Sequence, residues 1–244
     1  MVSTSQNVDY QVRESRRAKH VSIQISLLGE VEVVVPLGFD HQKIPALIQE
    51  RRHWITKTVQ KLKAERQEVN PAEPDTLPTE IVLRSPHAET WQISYESTAA
   101  TSIRIQPEAE QCCLRITGAV QAHDVCRDML RQWLKHYAKA HLVPWLYVVS
   151  DEINLPFQRA SVRGQRTRWA SCSSKQSISL NYKLLFLPPE LVRYVFIHEL
   201  CHTQQMNHSA AFWALVEGHD PNYRSLDSRL RKAWRYVPVW AERS

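Results

Sequence analysis

The segment Leu191 to Cys201, LVRYVFIHELC, constrains this chain more than any other stretch. It is almost wholly apolar. It follows Leu187-Pro188-Pro189-Glu190, where proline suits a first helical turn and Glu190 meets the positive end of the helix dipole. The pattern predicts a helix buried on most sides. Yet His198 and Glu199 stand near its end, with His202 just beyond. Burying such groups without partners is costly. The spacing offers a remedy. Residues i and i+4 share one helix face, so the two imidazoles can grip a single divalent ion. Zinc accepts imidazole nitrogen, takes three protein ligands in catalytic sites and leaves a fourth position for water. Glu199, offset by one residue, can reach that water as general base and later hand the proton to a leaving amine. The bland alternative is a pair of hydrogen-bonded core histidines beside a salt-bridged glutamate.

A third ligand is needed. His208 follows Met206-Asn207, and Asn207 is a good turn residue, so the chain can reverse and bring His208 back. Ser209 can cap the next helix, whose apolar residues are Phe212, Trp213, Leu215 and Val216. Glu217, His219 and Asp220 are rival ligands. Tyr223, Arg163 and His219 are candidates for stabilising an oxyanion.

The rest of the chain reads as α+β. Residues 1–11 form a polar tail. Val21, Ile23 and Ile25 alternate with polar residues, Gly29 turns the chain, and Val31, Val33 and Val35 return, which predicts a hairpin. A helix spans about 41–67, with Ile44, Leu47, Ile48, Ile55, Val59 and Leu62 in one stripe and a basic outer face. Residues 70–78 read as a linker. Strands follow around Trp91, Ile93 and Tyr95, around Ile103 and Ile105, and around Cys112, Leu114 and Ile116. A long helix runs from about 121 to 153, with Val125, Met129, Trp133, Leu134 and Tyr137 inward and Pro144 set to kink or split it. Further strands are expected at 157–163 and 177–182, and helices at about 209–218 and 222–236. The expected division is a β-rich region with one helix over 12–118 and a catalytic region over 119–244, its active-site helix packed on a small antiparallel sheet.

Composition excludes several classes. No apolar run approaches the roughly 20 residues that span a bilayer. The first residues lack the apolar core of a secretory signal, so a cytoplasmic, non-membrane protein is expected. The cysteines number five, two of them adjacent, with no C-x-x-C pair, which argues against a disulfide framework or a zinc knuckle. The net charge of +6 is modest. Its clusters at Arg13, Arg16, Arg17 and Lys19, and at Arg51 and Arg52, motivate a second reading: a nucleic-acid-binding protein with a structural zinc site.

Several blocks together resemble the YgjP-like zinc metallopeptidases. They are Val12 to Lys19 with the hairpin, Glu50-Arg51-Arg52-His53-Trp54-Ile55, Arg166 to Ser174, Ile178-Ser179-Leu180-Asn181, Leu187 to Glu190, and His198-Glu199-x-x-His202 with Met206-Asn207-His208-Ser209 and Phe212-Trp213. The resemblance runs over about residues 12–236. It implies a zincin-like fold, kinship with WLM and SprT-type peptidases, a single zinc held by His198, His202 and His208, and Glu199 as acid/base on a peptide or protein substrate. Ala170 stands where the family has glycine, Tyr182 where tryptophan is common, and Cys201 and Thr203 replace small and apolar residues. Should the glycine position need positive φ, Ala170 is strained. In zincins an exposed strand beside the metal helix pairs with an extended substrate. Ser177 to Asn181 is the candidate strand, giving Ser179, Leu180 and Asn181, with Arg168, as substrate contacts. An ordinary core strand is the competing reading. Trp169 packs or touches substrate, and Cys172 and Cys201 read as structural.

Overall fold

The computed structural model describes residues 8–25, 29–67, 76–165 and 167–242. Most of the expected tail, most of the expected linker and Arg166 of the Arg166–Ser174 block lie outside the described residues. The chain forms two compact units, Met1–Pro71 and Ala72–Ser244.

In the first unit β1 (Tyr10–Ser15) pairs in parallel with β3 (Val31–Pro36), and β2 (Ser22–Ile25) pairs antiparallel with β3 on its other side. The hairpin is as expected, with Gly29 at φ +82, a conformation natural to glycine. The first strand is not foreseen, and it begins inside the expected tail. Its side chains are mostly exposed, so no apolar alternation announces it. A short 3-10 turn, His41–Lys43, is capped by Asp40 and leads into α1 (Ile44–Gln67). The core joins Val31, Val33 and Val35 to Ile44, Ile48 and Ile55. Within the basic cluster at 13–19, Arg13 makes a two-pronged pair with Glu32 at 2.9 and 3.0 Å.

The second unit opens with β4 (Glu80–Leu83), β5 (Glu89–Ser97), β6 (Arg104–Glu108) and β7 (Cys113–Gly118), ordered β4-β5-β7-β6. The compact division thus falls near residue 71, whereas the sequence suggests 118. Polar anchoring explains why this sheet belongs with the C-terminal half of the chain. Arg84 and Ser85 donate backbone N–H groups to the Leu185 carbonyl at 2.8 and 3.1 Å, and the Ser85 hydroxyl donates to Leu187. Trp91 packs edge-on against Trp133. The long helix α2 (His123–Glu152) continues through Pro144 without a break. Leu142 and Leu146, fully buried on either side, hold it to the core, so packing outweighs the missing hydrogen bond. Its buried stripe runs through Cys126, Leu130, Trp133 and Leu134, while Val125 is exposed, one position out of the expected register.

A small sheet comes next, of β8 (Arg159–Arg163), β9 (Ala170–Cys172) and β10 (Ser177–Asn181), ordered β8-β10-β9. It is mixed rather than antiparallel: β10 pairs in parallel with β8 and antiparallel with β9. The loop after β8 carries the chain past the central position, and β10 then fills it. The remaining helices are α3 (Pro189–Cys201), α4 (Ala210–His219), α5 (Tyr223–Leu230) and α6 (Val239–Glu242). The helix expected over 222–236 therefore ends at Leu230, and a 3-10 turn, Ala233–Tyr236, succeeds it. No described helix is long and apolar enough to cross a membrane.

Candidate metal centre

The helix α3 forms where its sequence asks. Pro189 opens it, and Glu190 in its first turn accepts a hydrogen bond from Arg229 that holds its carboxyl below the usual range. Leu191, Val192, Tyr194 to Ile197, and Leu200 are buried, so the helix packs against α2, α4, α5 and β9. After Cys201 the chain turns tightly: Thr203 donates N–H to Leu200, and Gln204 and Gln205 donate to Cys201. Ser209 caps α4 through Phe212 N–H at 3.3 Å, as expected.

This turn brings His208 beside the first two histidines. The ring nitrogens of His198, His202 and His208 lie within 4.8 Å of one another. His198 Nε2 and His208 Nε2 stand 3.1 Å apart. Two nitrogens bound tetrahedrally to one zinc at ordinary distances stand about 3.3 Å apart, so the His198–His208 pair is spaced as two ligands of one ion, with the His202 nitrogen within 4.8 Å of both. His202 Nδ1–H donates to the Gln205 carbonyl at 2.9 Å, a tautomer assigned from this contact that leaves Nε2 with a free lone pair. Phe212 stacks on the His202 ring at 4.5 Å and meets His198 and His208 edge-on. Burial, then the neighbouring His202 and His208, pushes His198 down to about 4, and burial lowers His202 as well. Both rings are neutral at neutral pH, the form that binds metal.

Glu199 is 7% exposed, and its Oε2 has no hydrogen-bond partner among the described residues. Burial raises its carboxyl to about 7, against the opposing pull of the Cys172 backbone N–H and the Arg168 charge. A buried, half-satisfied carboxylate one residue from a histidine cluster is poorly explained as packing. The bland reading, two core histidines beside a salt-bridged glutamate, also lacks its salt bridge among the described residues.

The β9 contact explains the geometry. Ser173 donates N–H to Ser177 and Asn181 donates N–H to Trp169. Antiparallel alternation then turns the peptide groups of Ala170 and Cys172 away from β10, towards the edge that has no strand partner among the described residues. Cys172 N–H reaches Glu199 from there. Its thiol is pushed up to about 11 by burial and by Glu199, so it is not a reactive thiolate.

The expected substrate strand needs correcting. Ser177 to Asn181 forms β10, the central strand, paired on both sides, so no peptide can add to it. Leu180 is fully buried. Asn181 is also fully buried, and its amide donates to the Gln165 and Arg168 carbonyls at 2.8 Å each while its oxygen accepts from Lys183 N–H. Ser179 has a buried hydroxyl without a partner among the described residues. Arg168 differs: it is exposed and close enough for its charge to act on Glu199. Trp169 is buried and stacks on Trp234 at 3.9 Å. Ala170 does not have positive φ and lies in β9 without backbone strain.

Among the described residues the metal-ligating cluster contains none of the rivals to His208. Glu217 lies 4.0 Å from Arg224, His219 ends α4, and Asp220 accepts the Asn222 N–H. Tyr223 stacks on the face of Trp213, and its hydroxyl accepts from Arg224; Arg163 ends β8. Three participants are invisible in the sequence: the Gln205 carbonyl, the Cys172 N–H and the stacking role of Phe212. The first two are backbone groups, which leave no mark in residue identity.

A family model described as "YgjP-like, metallopeptidase domain" matches residues 19–233. No curated protein matches the chain. Among solved structures, the chain is similar to the crystal structure of the metallopeptidase zymogen of Pyrococcus abyssi abylysin, at 27% identity. That match covers 35% of this chain and 87% of the other, with a TM-score of 0.32.

Proposed function

Since the chain belongs to the YgjP-like metallopeptidase family, we propose that it hydrolyses peptide bonds with one zinc ion held by His198, His202 and His208 and with Glu199 as the proton carrier. The observation that carries this reading is the convergence of the three ring nitrogens within 4.8 Å beside a buried carboxylate oxygen that has no partner among the described residues. Zinc bound there supplies Lewis acidity, which makes water nucleophilic near neutral pH and polarises the scissile carbonyl.

The chain's own residues do the rest. Gln205 fixes the His202 tautomer, and Phe212 fixes the ring plane. Cys172 N–H holds one Glu199 oxygen, which leaves Oε2 to take a proton and return it to the leaving amine. The outward N–H and C=O of Ala170 and the outward carbonyl of Cys172 form an edge along which an extended substrate can lie, with Arg168 at its start. Substrate contact thus moves from Ser179, Leu180 and Asn181 to β9, while Arg168 keeps its proposed role.

Glu199→Gln tests the reading. The variant retains zinc, and kcat on unfolded protein substrates falls by about 10²–10⁴-fold, the usual range for a lost general base. Hydrolysis at the wild-type rate by the zinc-loaded variant would exclude Glu199 as the base.

A further inference from the structure

The first unit carries a groove of about 360 Å³ lined by Val21, Ile23, Leu47, Glu50, Arg51 and Trp54. Its origin is topological. In the order β1-β3-β2 the strand β2 is outermost, so one row of its peptide groups has no strand partner among the described residues. Val21 and Ile23 alternate towards α1 and pack against the core beneath it. The groove is the margin of that face, between the strand edge and the helix. Trp54 forms its wall and stays 47% exposed, so core packing does not use it.

Charge distinguishes the two ends. Leu47, Arg51 and Trp54 share a helix face, which continues through Lys57 and Lys61. Glu50 is the acid in the lining. It sits 3.9 Å from Arg51, with both side chains about two-thirds exposed at 69% and 65%, an arrangement that leaves Arg51 open to a better partner. An apolar slot therefore runs into a cationic stretch, alongside a row of peptide groups with no strand partner among the described residues.

We propose that the β2 edge and this groove dock an extended polypeptide segment, as a fourth strand, in which an aliphatic and an acidic side chain stand two residues apart. An added strand lies about 4.8 Å beyond β2, and every second side chain turns towards α1. The aliphatic one enters the slot between Ile23 and Trp54, and the next on the same side meets Arg51 or Lys57. Backbone pairing supplies affinity and the slot supplies selectivity. Docking itself does not depend on the peptidase reading; its use in recruiting substrate rests on that reading.

The test is fluorescence anisotropy of a short fluorescein-labelled peptide with a repeating Val-Thr-Glu-Thr pattern, titrated with zinc-loaded Glu199→Gln protein near physiological salt. Saturable binding is expected, weakened about tenfold or more by adding Trp54→Ala or Arg51→Glu and lost with a Val-Thr-Lys-Thr probe. Both side chains are exposed, so the variants keep their fold, which circular dichroism checks. Undiminished binding by the variants, equal binding of the lysine probe, displacement of the peptide by an oligonucleotide that binds more tightly, or sedimentation showing a dimer through this face would each overturn the proposal. Failure here leaves hydrolysis by the wild type untouched, whereas wild-type hydrolysis by Glu199→Gln leaves the docking result standing.

Discussion

Asn181→Ala separates a substrate contact from an internal brace, and the structure gives opposite expectations for the two. The Asn181 side chain makes three hydrogen bonds in a fully buried position: two donated to the carbonyls of Gln165 and Arg168, one accepted from Lys183 N–H. Each is worth about 1 kcal/mol net, and the buried groups left unpaired add to the loss. The expected destabilisation is about 3–5 kcal/mol. At roughly 2–4 °C per kcal/mol for a unit of this size, Tm falls by at least about 6 °C. The assay is urea and thermal denaturation, followed by kinetics below the new transition. The loop ahead of β9 loosens in the variant, so activity falls in step with stability. A variant as stable as wild type but with KM raised about tenfold would refute this reasoning and restore Asn181 as a substrate contact.

Phe212→Ala removes a fully buried ring stacked on His202; denaturation should show a loss of about 3–5 kcal/mol, and isothermal titration a weaker zinc complex. The Arg229–Glu190 pair adds a pH-dependent increment. Arg229 lowers the Glu190 carboxyl in the folded state, so the pair's stabilisation is present above the ordinary carboxylate pKa and is lost as pH falls through the lowered one. The half-exposed geometry limits it to about 1 kcal/mol or less. The stability difference between wild type and Arg229→Ala should therefore close on acidification in denaturant titrations; a difference that widened would contradict the sign.

Legibility in the sequence tracks physical reach. The α3 helix, the His198–His202 spacing and the Ser209 cap depend on neighbours within one or two turns, and all three appear as expected. His208 needed the turn through Gln205, and spacing alone left it among rivals. Strand order is long-range. Alternation marks Ile178 and Leu180 as one buried face of a strand, yet nothing local says that β10 lies between β8 and β9 rather than at the edge. The same blindness hid β1, whose exposed face carries no pattern, and the membership of β4–β7 in the second unit, fixed by contacts of Arg84 and Ser85 with Leu185 and Leu187. Pro144 shows packing overriding a local signal.

Zinc binding by the three histidines is tested most directly by the metal content of the purified protein and of His208→Ala, determined by elemental analysis after gel filtration. One zinc per wild-type chain is predicted. In the variant, where two of three proposed ligands remain, affinity should fall beyond the 10–100-fold loss usual when only a hydrogen-bond partner of a ligand is removed. A metal-free wild type, or a variant that keeps its full zinc complement, would contradict it.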